Sequence, residues 1–178
     1  MGWLFTKRRM ASELGADWQQ KFSQFDRDAI SAASLGQVHQ AVGQDGEKLA
    51  VKLQYPDMQS AIQADLRQLK LLFQLYERYD SAISTSDIYD ELSERLYEEL
   101  DYRREAQNMQ LYRYMLADES CVVVPEHRPE LSTERLLTMN WLDGTRLMPF
   151  LHTNPDQTTR NKIARHMFRV WYVPFYYY

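Results

Sequence analysis

Apolar and polar residues alternate in one part of the first half of the chain. In the run LAVKLQ at residues 49–54, large apolar side chains occupy every second position, and a second strand-like run precedes it at residues 38–42. A period of two predicts strands, and the Gln-Asp-Gly sequence at residues 44–46 predicts a hairpin turn between them. Lys52 is therefore expected on the face of its strand opposite to Val51.

Three other stretches repeat their apolar residues every three or four positions, which is typical of amphipathic helices. Residues 6–25, 57–79 and 87–116 are each predicted to form one helix, the last of them unusually long. A polar break at residues 81–86 precedes this third helix, and Thr85 or Ser86 at the end of the break can cap the helix. The pattern thus predicts an α+β chain in which long helices accompany a small sheet.

The last third of the chain is predicted to contain two strands and two helices. Apolar runs at residues 121–124 and 135–142 predict two more strands, the first of them buried. A short helix is expected at residues 145–151, and the Asn-Pro-Asp sequence at residues 154–156 is expected to cap a final helix. That helix runs into WYVPFYYY at residues 171–178, where six aromatic residues could suggest a membrane-interface belt. Because no basic amphipathic face accompanies them, a helix end without its packing partner is the preferred interpretation.

Composition narrows the class of protein. The 178 residues suffice for one domain, and 44% hydrophobic with 26% charged residues is ordinary for a globular protein. A net charge of -4 argues against a nucleic-acid partner. Cys121 is the single cysteine, so no internal disulfide can form, which fits a reducing compartment. No run approaches the roughly 18 apolar residues of a membrane span, and no secretory signal is expected.

A loop of small side chains lies just ahead of the strand that carries Lys52. Ala32, Ala33, Ser34 and Gly36 would let a phosphate chain approach the backbone closely, and a lysine on a rigid strand would supply the positive charge. Each feature alone is better explained by an ordinary turn and a solvated lysine. Their order and spacing together favour a nucleotide site, and they resemble the Ala-Val-Lys element of protein kinases.

An acidic segment in the third predicted helix is the expected partner of this lysine. In EELDYRREAQN at residues 98–108, Glu98, Asp101 and Glu105 are spaced to share one side of a helix. The alternative is a solvated acidic face offset by the neighbouring arginines, with each pair worth about 0.2–0.5 kcal/mol. A carboxylate facing Lys52 would orient the ammonium group and remove the cost of burying it unpaired.

Three segments together resemble the signature motifs of a known family. SAASLGQVH at residues 31–39, AVKLQYP at residues 50–56 and EELDYRREAQN resemble those of the UbiB family, the aarF-domain kinases associated with ubiquinone biosynthesis. The resemblance extends from about residue 3 to the last residue. It implies a protein-kinase-like N-lobe, an antiparallel sheet with long helices, at residues 1–142, and the first helices of a truncated C-lobe at residues 143–178.

The resemblance also implies roles for individual residues. The residues that match the family's alanine-rich nucleotide loop are Ala32, Ala33, Ser34, Gly36 and Gln37. Lys52 matches the lysine that contacts the α- and β-phosphates, and Glu105 matches its helix partner. Glu99 and Asp101 match the family's own Glu-x-Asp element. In a kinase-like lobe Met139 and Leu142 are candidates for the hinge at the adenine, although a plain core strand explains the same residues nearly as well.

The sequence departs from the family pattern in three places. Ser31 replaces a more usual alanine, which casts little doubt on binding. The K-x-G-Q segment is absent, as are the H-x-D-P-x-x-x-N catalytic loop and the later metal-binding triplet. The resemblance therefore implies no catalytic residue and no metal ligand in this chain, although Mg²⁺ is expected for a full-length parent. The chain is expected to be a fragment that stops just short of the catalytic loop.

The expected function is the ATP-binding part of a UbiB-type atypical kinase or ATPase, inactive in this fragment, with weak nucleotide binding and no significant hydrolysis. The alternatives are a pseudokinase-like module that binds a protein or lipid without turnover, and a truncated product that does not fold stably. A nucleotide is the expected partner, with a lipid or membrane surface reached through the parent. The expected location is the cytoplasm, peripheral to the inner membrane in a bacterium, or the mitochondrion in a eukaryote.

Overall fold

The predicted hairpin forms the middle of the sheet. Strands β3 (Gly36–Gly43) and β4 (Lys48–Gln54) pair antiparallel, with Gly36 opposite Gln54 and Val42 opposite Lys48. The turn closes where the Gly43 N–H donates to the Glu47 carbonyl at 2.9 Å, and Gly46 has a φ of 80°. Glycine adopts this left-handed conformation without steric cost, so the hairpin predicted from Gln-Asp-Gly is confirmed.

The computed structural model describes residues 2–78 and 85–178. The other strands are β1 (Phe22–Phe25), β2 (Ser31–Ala32) and β5 (Leu136–Asn140). The antiparallel sheet has the order β1-β3-β4-β5, and β2 also pairs with β3. The helices are α1 (Trp3–Leu14), α2 (Met58–Glu77), α3 (Thr85–Leu100), α4 (Tyr102–Met115), α5 (Leu147–His152) and α6 (Gln157–Tyr177). Two 3₁₀ turns lie at Trp18–Lys21 and Pro129–Leu131.

One face of the sheet carries the main hydrophobic core. The alternating side chains of β4 that point to this face, Leu49, Val51 and Leu53, are fully buried. Met10 of α1 and Trp18 of the following 3₁₀ turn pack against them. Burying large apolar side chains contributes about 1.5–3 kcal/mol each, so this face holds the strands in register. The opposite face is left for Lys52.

A buried polar network lies within this core. The Gln37 side-chain amide donates to the Thr6 hydroxyl at 3.0 Å and contacts His39 Nε2 at 2.7 Å. His39 Nδ1 in turn lies 2.9 Å from the Asp26 carbonyl oxygen, which makes Nδ1 the protonated nitrogen of a neutral ring. Burial lowers the pKa of His39 below its ordinary value of 6.5, and the Asp26 hydrogen bond offsets this only in part.

The first predicted helix is wrong in its second half. Helix α1 ends at Leu14, and Gly15 follows it with a φ of 93°. Phe22–Phe25 forms β1 and pairs with β3. The spacing that suggested one helix includes Met10, Trp18 and Phe22. These three side chains are buried, but they belong in turn to a helix, a 3₁₀ turn and a strand. Glycine adopts a positive φ without the steric cost that other residues meet, so Gly15 marks a boundary.

The long helix predicted at residues 87–116 is two helices. Asp101 breaks it, with an extended backbone (φ −102°, ψ 96°), and its carboxylate accepts a hydrogen bond from the Arg103 N–H at 2.9 Å. Aspartate at this position is a favoured N-cap because its oxygen satisfies an N–H that the helix leaves free. The polar break predicted at residues 81–86 falls partly on residues 79–84, outside the described residues. Thr85 and Ser86, the proposed caps, belong to α3 itself.

The strand predicted at residues 121–124 is also wrong. These residues have no regular structure, and Val123 is 70% exposed. Pairing with β5 begins only afterwards, where the Asn140 N–H donates to the Glu126 carbonyl and the Arg128 N–H to the Thr138 carbonyl. Three consecutive valines favour a strand, yet their contacts with the rest of the fold decide the outcome.

The C-terminal elements follow the sequence prediction. Helix α5 forms near the expected residues, and Asp156 caps α6 by accepting the Thr159 N–H at 2.6 Å. The aromatic residues of the last two turns, among them Trp171 and Phe175, are exposed. Among the described helices, none combines the length and the apolar character of a bilayer span. The division into lobes at residue 142 stays a prediction.

Replacing Gly36 with alanine is expected to destabilise the fold. A Cβ at this position would lie 2.4 Å from the Leu53 carbonyl oxygen, so the two central strands would have to separate. Overpacking of this kind costs about 1–3 kcal/mol. Gly144→Ala is the control, because no atom lies within 4 Å of its Cβ position. Urea denaturation monitored by circular dichroism measures both, and equal midpoints for the two variants would contradict the prediction.

Stability is expected to depend on pH through His39. Since its pKa is lower in the folded state than in the unfolded state, the unfolded chain takes up the proton first. This contribution to stability is complete above the ordinary pKa of 6.5 and is lost as the pH falls from there toward the folded-state pKa. His39→Asn should flatten the stability profile between pH 7 and 5 in denaturation titrations. The exposed His152→Gln control should keep the slope of the wild type.

Candidate functional site

Lys52 stands at the centre of the sheet, on the face opposite to the main core. Its neighbours across the strands are Val38 of β3 and Leu137 of β5. The lysine side chain is 21% exposed and lines a cleft, so it is mostly covered and still reachable from outside. The expectation that Lys52 projects from the face opposite to Val51 is confirmed, since Val51 is fully buried in the core on the other face.

Helix α4 brings a carboxylate to this lysine. The helix begins at Tyr102, whose N–H donates to the Glu134 carbonyl at 2.8 Å, and this bond ties its first turn to the segment before β5. Ala106 then packs on Leu137 of β5, where a small side chain lets the helix approach the sheet. Glu105 lies one residue before Ala106, and the same turn carries its side chain to Lys52.

The contact between Lys52 and Glu105 is present. Lys52 Nζ donates to both carboxylate oxygens of Glu105, at 2.9 Å to Oε1 and 2.7 Å to Oε2. Glu105 is 40% exposed, so the pair is partly solvated and contributes little net stability. What the carboxylate provides is a fixed position for the ammonium group, because two charge-assisted hydrogen bonds hold it from one side.

The ring of Tyr102 contacts the ammonium group of Lys52. Lys52 Nζ lies 4.6 Å from the centre of the Tyr102 ring, which is the geometry of a cation–π contact. The tyrosine is almost fully buried, and burial together with the nearby Glu105 and Glu99 raises its pKa well above the ordinary value. The phenol therefore stays neutral, and its ring presents a negative face to the ammonium group.

A cleft of about 280 Å³ opens beside this pair. Its lining residues are Lys52, Arg95, Glu98, Glu99, Arg104, Glu105 and Asn108. Glu98 accepts ion pairs from Arg104 at 2.7 Å and from Arg95 at 3.0 Å, so its carboxylate is already neutralised. The cleft thus presents cationic groups together with acids, most of which are already paired.

The loop of small residues lies at the end of the sheet where Gly36 pairs with Gln54, and none of its residues lines the cleft. Ala33 and Gly36 form a tight turn, with the Ala33 N–H donating to the Gly36 carbonyl at 2.8 Å. Ala32 and Ser34 are exposed on this turn. Leu35 packs against the cluster formed by α2 and α3, which anchors the loop from below. Because Gly36 must lie against the Leu53 carbonyl, the strand pairing accounts for this glycine without a phosphate.

Gln37 does not belong to the surface of this loop. Its side chain is buried on the core face, where it bonds to Thr6 and His39, while Lys52 projects from the opposite face. The Gln37 side chain therefore has a structural role in this fold, and its assignment to the family's nucleotide loop stays a prediction. Alternation along β3 determines the outcome, since Gln37 and His39 point to the same face.

The candidate hinge residues lie apart from each other. Met139 pairs with Ala50 and packs against the cluster of Tyr102, Ala106 and Leu137, which places it on the Lys52 face. Leu142 lies beyond the end of β5 and is 47% exposed. Met139 is thus on a surface continuous with Lys52, while a role of Leu142 at an adenine stays a prediction.

The two residues of the Glu-x-Asp element have different surroundings. Glu99 is exposed and lines the cleft, whereas Asp101 caps α4. The interpretation that Glu98, Asp101 and Glu105 share one side of a continuous helix is therefore wrong, because the helix breaks between them. Asp101 acts on the site indirectly, since its cap fixes the first turn of the helix that carries Glu105.

Sequence reasoning missed Tyr102 and the role of Arg104. Tyr102 precedes Glu105 by three residues, a spacing that places two side chains on neighbouring positions of a helix, and this was the available signal. Within the described residues no group of three or more histidine, cysteine, aspartate or glutamate side chains is arranged to hold a metal ion. Glu105 and Glu98 are already bound to cations, so the cleft as built does not fit Mg²⁺.

Comparisons with known proteins place the chain in one family. Residues 3–176 match the model of the ABC1 atypical kinase-like domain. The chain is 35% identical over 161 residues to the mitochondrial atypical kinase COQ8 of Saccharomyces cerevisiae, covering 90% of this chain and 32% of that protein. It is 37% identical over 144 residues to the chloroplastic protein ACTIVITY OF BC1 COMPLEX KINASE 7 of Arabidopsis thaliana, covering 79% and 21%.

The fold has a solved counterpart. The structure of Rv3197 from Mycobacterium tuberculosis in complex with erythromycin superposes with a TM-score of 0.79 at 28% identity, over 89% of this chain and 40% of that one. The α+β kinase-like fold inferred from the motifs is confirmed. The chain spans less than a third of the length of the two curated relatives described above. It belongs to the ABC1 atypical kinase-like family, the group of COQ8 and the UbiB-type proteins.

Proposed function

We propose that this chain supplies the phosphate-binding part of an ATP site in a UbiB-type atypical kinase or ATPase. The observation that carries the proposal is the contact of Lys52 with both carboxylate oxygens of Glu105. In kinase-like folds a strand lysine held by a helix glutamate binds the phosphates of the nucleotide. Family membership and the position of this pair beside a cleft, on the sheet face opposite to the main core, support the same role.

The hydrogen-bonding capacity of Lys52 is suited to this role. An ammonium group has three N–H donors, and the Glu105 oxygens accept two of them. The third remains for an oxygen of a phosphate group. The exposed turn at Ala32 and Ser34 lies at the end of the sheet where Gly36 pairs with Gln54. Its small side chains permit the close approach of a phosphate chain.

A magnesium ion would not be held by these residues alone. When bound with ATP in a kinase-like site, Mg²⁺ neutralises charge on the phosphates, and it requires oxygen ligands in octahedral geometry. The carboxylates of the cleft are paired with Lys52 and the arginines, except for Glu99. The chain's own contribution is therefore to position the phosphates.

The link to quinone lipids is part of the same proposal. Two of the relatives described above are named for mitochondria and for chloroplasts, and the first carries the name COQ8. We propose that the parent protein uses ATP in ubiquinone metabolism at a membrane surface. Measuring the quinone content of cells that carry Lys52→Met tests this. An unchanged content would remove the link and leave the nucleotide site untouched.

Lys52→Met is expected to abolish stabilisation by ATP. At ten times the dissociation constant, a ligand that binds only the folded state stabilises it by about 1.4 kcal/mol, and the variant should lose this increment. Differential scanning fluorimetry with ATP, with and without Mg²⁺, measures it. Lys48→Met is the matched control, because Lys48 lies on the same strand, is largely exposed, and is 3.7 Å from Asp143. Equal shifts in the two variants would refute the phosphate role of Lys52.

Glu105→Gln is expected to weaken ATP binding while the fold stays intact. The amide is similar in size but cannot provide two charged acceptors, so the ammonium group loses its fixed position. The pair is partly solvated, so the free energy of unfolding should fall by less than about 1 kcal/mol. Isothermal titration with ATP measures the affinity. Binding of a protein or lipid that survives both this variant and Lys52→Met would favour a pseudokinase-like binding module instead.

A further inference from the structure

Helix α4 borders a second pocket on the face opposite to the Lys52 cleft. The cleft is lined from α4 by Arg104, Glu105 and Asn108, and the second pocket by Arg103, Ala106 and two glutamines one turn apart. Residues spaced by three, four and seven share one side of a helix, so the two sets occupy opposite sides. The far wall of the second pocket is the segment before β5, including His127 and Pro129.

Two residues that line this pocket each carry a buried polar atom with no hydrogen-bond partner in the part of the chain that the structure describes. The two atoms are the Tyr102 hydroxyl oxygen and His127 Nδ1. Tyr102 is 2% exposed. Nearly all buried polar groups in folded proteins are paired, so two unpaired groups on residues that line one cavity indicate a partner that comes from outside the chain.

The charge of the lining determines which ligand would fit. It contains the guanidinium group of Arg103 and no carboxylate. Within residues 2–78 and 85–178, Arg103 forms no ion pair, whereas Arg104 beside it is bound to Glu98. Guanidinium groups pair well with carboxylates and phosphates. The hydroxyls of Ser132 and Thr133 already donate elsewhere, so they do not alter this preference.

The size and polarity of the pocket also limit which ligand would fit. The pocket has a volume of about 360 Å³, at the lower end of the range of small-molecule sites. Ala106 and Pro129 provide an apolar wall beside the tyrosine ring. An acidic group near Arg103 and the Tyr102 hydroxyl would leave a ring-sized apolar body to lie against this wall.

We propose that the pocket between α4 and the segment before β5 binds a small organic anion, an acidic group on an apolar body of about one ring. Arg103 pairs with the acidic group, and the Tyr102 hydroxyl donates a hydrogen bond to it. This site is separate from the Lys52 cleft and does not depend on the proposed nucleotide role. Tyr102 contributes to both, since its ring also lies under Lys52.

Benzoate is the probe that tests the proposal. Saturation-transfer NMR and isothermal titration on the purified chain should show saturable binding of benzoate and none of benzylamine, which has similar size and opposite charge. Arg103→Gln should weaken binding about tenfold, as expected for a lost charged hydrogen bond. Arg104→Gln is the matched control, because it removes the same charge from the adjacent residue on the other side of α4 and should leave benzoate binding unchanged.

Each outcome decides for or against the site. Tyr102→Phe removes the hydroxyl and should also weaken benzoate binding, and Arg103→Gln keeps the test decisive if that variant folds poorly. No saturable binding of benzoate would mean that water satisfies the two polar atoms, and the proposal would be overturned. Equal binding of benzylamine, or an equal loss in Arg104→Gln, would overturn it as well, because attraction to Arg103 would then not be the cause.

Discussion

The site depends on the break between α3 and α4. Asp101 ends the regular hydrogen bonding of α3, caps the first turn of α4 and lets the second helix take a new direction. Only with that change of direction does Ala106 reach Leu137 and Glu105 reach Lys52. A continuous helix would carry Glu105 onward along the axis of α3. The cap therefore acts on the chemistry through backbone geometry, although the Asp101 side chain does not line the cleft.

The two faces of the central strands have different roles, one in stability and the other in the candidate site. Leu49, Val51 and Leu53 bury one face of β4, and Lys52 uses the other. A shift of pairing by one residue would place the lysine in the core, at a cost far greater than the contact with Glu105 returns. The buried apolar face thus fixes the position of Lys52 on its strand, and Glu105 only has to orient the ammonium group.

The sequence was informative where a pattern is local. The hairpin at Gly46, the Asp156 cap and the facing of Lys52 each depend on a few adjacent residues, and all three are present. Periodicity failed where an apolar residue can be buried from more than one kind of element, as with Phe22. The contact between Lys52 and Glu105 spans 53 residues, and it was anticipated from the resemblance to kinase-like proteins, since no local spacing encodes it.

Tyr102 shows how the two sides of α4 are joined. Its ring contacts Lys52, the residue also lines the second pocket, and its N–H donates to the Glu134 carbonyl. A side chain with three such contacts cannot be moved at one of them without strain at the others, because packed interiors yield little. The start of α4 is therefore a rigid joint, and the position of Glu105 follows from the same contacts that form the wall of the second pocket.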